Sequence, residues 1–173
     1  MVFGQFVTPW ARPIRFAQPF IRRSLEIASA TGDLTWVTYS HHALVASRLF
    51  SGDPLPEVCA DAEQGVAFSQ ASGFELLGSQ LAAQRNFALG LMGRDRENSF
   101  ESADLAAPAL GDGASLQHVC FHRLPRMQLH VLAGRHDAAL ALADETLFRN
   151  IRAYEESVEY RFYAAIAHAA AHD

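Results

Sequence analysis

Apolar side chains recur along this chain every three or four positions, the spacing that lines one face of a helix at 3.6 residues per turn. Leu55, Val58, Cys59, Ala62 and Val66 give the clearest run. Comparable faces are Phe16, Phe20, Ile21, Leu25 and Ala28, then Leu34, Val37, His41, Leu44 and Leu49, then Leu77, Leu81, Ala88 and Leu91. Further on come Ala139, Leu142, Ala143 and Leu147, and finally Val158, Phe162, Ile166 and Ala170. No stretch alternates convincingly with period two, so the pattern predicts an all-α chain without strands.

The breaks between these faces are short: Thr31-Gly32-Asp33, Ser51-Gly52-Asp53-Pro54, Ser72-Gly73 and Gly134-Arg135-His136-Asp137. Each offers a glycine that can end a helix in the left-handed conformation, and three carry an aspartate placed to cap the next helix. Asp53 before Pro54, with Glu57 following, has the form of a helix start. Starts near Ile14, Leu34, Pro54 and Phe74 recur about every twenty residues, the half-period of a helix-pair solenoid of the tetratricopeptide or HEAT kind. The period then breaks. Residues 93–114 are polar and rich in Gly, Asp and Ser around an apolar patch at Leu105 to Leu110, which predicts a long loop. Leu116 to Ala133 predicts a helix that Pro125 should kink. Arg135 to Ala143 reads as the first helix of another pair, and Ser157 to Ala171 as its partner.

The expected architecture is therefore an antiparallel helix-pair array, a tetratricopeptide-like α-solenoid of about seven helices. It forms a single helical-repeat domain over 1–173: a lead-in over 1–13, helices 1–4 over 14–92, a long loop over 93–114, and helices 5–7 over 115–173.

Composition narrows the function. Half the residues are hydrophobic and 19% are charged, which is globular, and no apolar run approaches a membrane span. With no secretory signal at the start, a cytoplasmic location is the default expectation. The net charge of -5 leaves no broad positive surface for nucleic acid. All fourteen basic residues are arginine. Without a lysine the chain cannot form a GxxxxGK[ST] phosphate loop, a protein-kinase core or a Schiff base. Cys59 and Cys120 stand apart and read as buried small hydrophobes.

Several runs together resemble a known family. Phe6-Val7-Thr8-Pro9-Trp10, Thr31-Gly32-Asp33-Leu34-Thr35-Trp36 leading to Tyr39-Ser40, and Leu49-Phe50-Ser51-Gly52-Asp53-Pro54-Leu55 resemble the helical region of very large bacterial signalling proteins. Those proteins join a serine/threonine-kinase-like domain, an ATPase module, a tetratricopeptide-like region and a sensor histidine kinase. Leu132-Ala133-Gly134 through Ala143, and Glu159-Tyr160-Arg161-Phe162-Tyr163 through Ala167, fit the same region. The resemblance implies a non-catalytic linker and interaction segment. Its partners would be neighbouring kinase or ATPase domains, and it would bring no catalytic or cofactor residues of its own. Since the family's helical array goes on where this chain reaches His172-Asp173, the resemblance implies a fragment of a longer array. Separately, the open ends of a solenoid expose apolar faces unless capped, so a homodimer through them is expected.

Individual side chains add little chemistry. His118 and His122 stand four apart, as do His168 and His172, a spacing that lets two ligands share a metal when a third arrives. The run His118-Val119-Cys120-Phe121-His122 lacks the glutamate of a zinc-protease helix, and the second pair lies at a chain end. No metal site is assigned. Ser40-His41-His42 is superficially like a phosphoaccepting box, but the following Ala43-Leu44-Val45 lacks its acid and proline, so His41 is expected as a hydrogen-bonded core residue. Trp10, Tyr154, Tyr160 and Tyr163 are the candidate interaction surface, whereas Trp36 and Phe162 are expected in the core. Asp61, Glu63, Glu155 and Glu156 read as solvated. Two rival functions remain: a stand-alone helical sensor that binds a small effector near the long loop, and a metal-dependent bundle enzyme built on the histidine pairs.

Overall fold

Helix α2 (Gln18–Thr31) stops where Gly32 turns to φ +71°, a conformation that costs any residue with a Cβ about 1–2 kcal/mol. The Gly32 N–H then donates to the Ser29 carbonyl at 3.3 Å and the Asp33 N–H to the Ala28 carbonyl at 2.9 Å, satisfying two carbonyls the helix end would leave open. The same pair of bonds recurs at Gly52, Gly73, Gly93 and Gly134, every one at positive φ. From Gly32 onward these glycines follow at steps of 20, 21, 20 and 41 residues.

The computed structural model of the protein describes residues 1–94, 116–151 and 154–171. Among them the chain is all-helical, with no strand. The long loop expected over 93–114 lies outside the described residues from position 95 onward, and so does His172. The helices are α1 (Thr8–Ala11), α2, α3 (Leu34–Phe50), α4 (Leu55–Ala71), α5 (Glu75–Leu91), α6 (Leu116–Leu132), α7 (His136–Leu142), α8 (Glu145–Phe148) and α9 (Glu156–Ala171). The long helices begin close to where the pattern placed them. The short α1 and α8 were not expected, and α8 has a plain cause. The Asp144 carboxylate accepts the Leu147 N–H at 3.0 Å and starts a new turn, so the face read through Ala139, Leu142, Ala143 and Leu147 is split in two.

Of the three aspartates expected to cap, only Asp33 does so, accepting the Trp36 N–H at 3.1 Å. Asp53 is taken by Arg48, and Asp137 lies inside the first turn of α7. Pro125 sits within α6, which runs on across it, although proline has no N–H for the Phe121 carbonyl.

The chain divides into two compact units, Met1–Ala88 and Leu89–Asp173. In the first, α2 packs on α3 and α3 on α4. Helix α3 is enclosed on every side over residues 42–48, while Leu34, Trp36 and Tyr39 in its first half are exposed, so the single stripe expected there is too narrow at one end and too wide at the other. Helices α4 and α5 approach closely through small residues: a Cβ on Gly65 would stand 3.0 Å from the Leu81 side chain and from the His41 Cβ, and one on Gly78 would stand 3.1 Å from the Ser69 Cβ. Gly65→Leu should therefore cost roughly 2 kcal/mol by overpacking, seen as a lower denaturation midpoint. An unchanged midpoint would mean the helices part freely.

In the second unit, α6, α7, α8 and α9 surround a core of Val119, Cys120, Leu124, Met127, Phe148 and Tyr160. Phe148 stacks on Tyr160 with ring centroids 3.8 Å apart. Helix α9 turns its other face inward from the one expected: Tyr160 and Ala167 are buried, whereas Val158, Phe162 and Ile166 are exposed. Both faces are apolar, so periodicity alone did not choose between them.

Candidate functional site

The first unit contains a buried cation. Arg48, in the last turn of α3, donates from Nε to Asp53 at 2.9 Å, from Nη1 to Asp61 at 2.6 Å and from Nη2 to Glu57 at 2.6 Å. Asp53, Glu57 and Asp61 are spaced four apart, one face of α4 and its preceding turn, so three carboxylates meet one guanidinium. Asp61, read from sequence as solvated, is an internal partner; Glu63 is exposed. Gln18 adds a bond to Asp53 at 3.2 Å. This arrangement satisfies itself and offers no site for chemistry.

The histidines separate in the same way. His42, not His41, is the enclosed residue of α3, with its Nε2 at 3.4 Å from the Gln84 side chain. His41 is half-buried beside Phe68, and burial lowers its pKa while Asp61 opposes the shift. His118 and His122 are both buried, with rings 4.9 Å apart, and desolvation lowers the pKa of His118. Among the described residues no three His, Cys, Asp or Glu side chains gather closely enough to hold a metal. Burial pushes the Cys120 thiol up to about 12, which suppresses the thiolate a nucleophile needs.

The second unit also holds an acidic group that sequence reading placed in solvent. Glu156 is buried, its Oε2 accepts no hydrogen bond, and desolvation together with Glu155 raises its pKa to about 8. One turn on, Glu159 accepts a bond from the Gln128 side chain of α6, and desolvation raises it to about 7. Burial likewise raises Glu155.

Of the candidate interaction residues, Trp10 is exposed on α1. Tyr160 is core and belongs to no surface, because its ring is stacked against Phe148. Tyr154 and Tyr163 are half-buried against the same core, Tyr154 edge-on to Phe121 at 5.3 Å. Trp36 and Phe162, expected inside, are both exposed.

The larger apolar surface lies elsewhere. In the first unit an open groove of about 560 Å³ runs along α2, lined by Phe3, Phe20, Ile27 and Trp36, with Arg23 and Asp33 among them. Phe3 meets Phe20 edge-on at 5.3 Å, because the turn carrying Gly4 packs down on Ala17 and Ile21. The sequence signal was present: Phe20, Arg23, Ser24, Ile27 and Thr31 fall on one helical stripe, while Ile21 is core and Ala28, itself buried, lies at the bottom of the groove. In the second unit a cavity of about 590 Å³ is lined by Leu91, Met92, Leu129, Leu132 and Arg135.

No protein family, curated protein or solved structure matches the chain. No helix among the described residues is long and apolar enough to cross a membrane.

Proposed function

We propose that the chain is a non-catalytic helical-repeat scaffold, an antiparallel helix-pair array of tetratricopeptide-like form that docks protein modules within a bacterial signal-transduction protein of the kinase and ATPase type. The observation that carries this reading is the recurrent closure of helices by a left-handed glycine at steps of 20 or 21 residues, with the 41-residue step to Gly134 equal to two of them. Repetition of one turn at a fixed period is the mark of stacked helical units, which bury their faces only against neighbours. The exposed apolar stripes on α2 and α9 agree with a chain that works by being covered. The resemblance of the Thr31–Trp36 and Leu49–Leu55 runs to such helical regions supports the signalling context, and with it a cytoplasmic setting and kinase or ATPase modules as neighbours.

A second reading, a helical sensor for a small effector, is favoured by the cavity beside Met92 and Leu132, whose volume falls within the range of small-molecule sites. A native mass spectrum of the purified chain separates the two. The scaffold reading expects bare protein; a stoichiometric small-molecule or metal adduct would overturn it in favour of a binding site in the second unit.

A further inference from the structure

We propose that the groove along α2 is closed by the same groove of a second copy of this chain, making the first unit an isologous dimer contact. This inference rests on reading the chain as an interaction segment and names its partner. Phe3, Phe20, Trp36 and Tyr39 are 56%, 50%, 41% and 43% exposed. At about 200 Å² for each aromatic residue, these four leave about 400 Å² of surface in water. That is already the size of the largest apolar patch on a typical monomer. It is half of the roughly 800 Å² that each partner gives to a stable interface. Val2 and Ile27, half-exposed beside them, and the polar side chains of the stripe extend it towards that size.

The shape and charge of the groove choose the occupant. Along α2 the ridges made by Phe20 and Ile27 flank a floor of Ser24 and Ala28, so the surface presents both knobs and hollows. A copy related by a two-fold axis offers the same knobs to the same hollows. Arg23 stands on the stripe with Phe20, and Asp33 lies beyond the other end of the helix. Arg23 is paired along its own helix with Glu26 at 2.9 Å and Asp33 accepts the Trp36 N–H, so a rotated copy presents the two charges in reverse order and adds no unbalanced charge of either sign. A groove that carries one cation and one anion favours neither an acidic nor a basic peptide and is complementary to itself.

Sedimentation velocity of the whole chain from about 1 μM to about 500 μM tests this, a range that spans the affinities of modest interfaces. A monomer–dimer equilibrium is expected. Ile27→Glu, a solvent-facing change to a good helix former, should weaken it at least about tenfold, and Phe20→Glu should do the same. Arg23→Glu should weaken it less, and Phe162→Glu on α9 should leave it unchanged. The proposal is overturned by a monomer throughout, by a dimer indifferent to both Ile27→Glu and Phe20→Glu, or by a dimer that Phe162→Glu dissociates as strongly. A monomer would leave the scaffold reading standing. An adduct in the native mass spectrum would sink that reading whether or not the chain dimerises.

Discussion

Arg48→Ala is expected to destabilise the first unit by roughly 3 kcal/mol, the low end of what breaking a buried ion pair costs. The cost comes from what is left behind. Asp53 and Asp61 are largely withdrawn from water, with side chains 21% exposed, and would lose the cation they face, Asp53 retaining only its bond from Gln18. Glu57 is well exposed and adds little by itself. For a unit of this size the change corresponds to a fall of at least about 12 °C in the melting temperature, read by the fluorescence of Trp10 and Trp36, both in that unit. Arg48→Lys keeps a charge but loses the planar fork that reaches three carboxylates, so it should recover only part of the loss. The triple variant Arg48→Met, Asp53→Asn, Asp61→Asn removes the stranded charges together and should regain most of it. If Arg48→Ala melts within a degree or two of the parent, the guanidinium does not hold the turn between α3 and α4.

That network shows where reading the sequence succeeded and where it stopped. Glycine followed by aspartate marked the helix boundaries, because a left-handed glycine and a capping carboxylate act within a few residues. At Asp33 both halves of the signal hold. At Asp53 the glycine does its part, but Arg48 competes for the carboxylate across the turn, and a guanidinium is a stronger partner than a backbone N–H. The clue lay in the four-residue spacing of Asp53, Glu57 and Asp61 beside an arginine just before the break. It is a tertiary pattern, invisible to a search for caps. The face expected on α9 failed, and the one on α2 held at Ile21 and Ala28 but not at Phe16 and Phe20, for another reason. Each helix has two apolar stripes, Ile21 and Ala28 against Phe20 and Ile27 in one, Tyr160 and Ala167 against Val158 and Phe162 in the other. Periodicity reports that a stripe exists, and only packing decides which one is inside. The stripe left outside on α2 lines the candidate groove: Phe20, read on one face with Ile21 and Ala28, stands apart from them, and Trp36 of α3, expected in the core, is exposed beside it.

The second unit should lose stability as pH rises from about 6.5 to about 9, by roughly 3 kcal/mol in all. The cause is the pair Glu156 and Glu159, held by burial near 8 and 7 against an ordinary value of 4.5. A carboxyl whose folded pKa is raised stabilises the fold fully below its unfolded pKa. That contribution disappears as pH climbs through the folded value, because the native state must then give up a proton it binds more tightly than the unfolded chain does. Glu155 on the same turn adds to the repulsion, while Gln128 of α6, by bonding to Glu159, favours its charged form and limits the shift. His118 acts in the opposite sense below about 6.5, since burial favours its neutral form, so above that pH the carboxyls dominate, with the Cys120 thiol adding a loss of the same sign only near pH 9. Hydrogen exchange of amides in α6 and α9 reads this unit alone. Glu156→Gln with Glu159→Gln should slow that exchange at pH 9 and flatten its stability profile, because a neutral amide carries no charge to desolvate. Equal pH slopes in parent and double variant would show that these carboxyls are hydrated, and that the N-terminal turn of α9 opens to water.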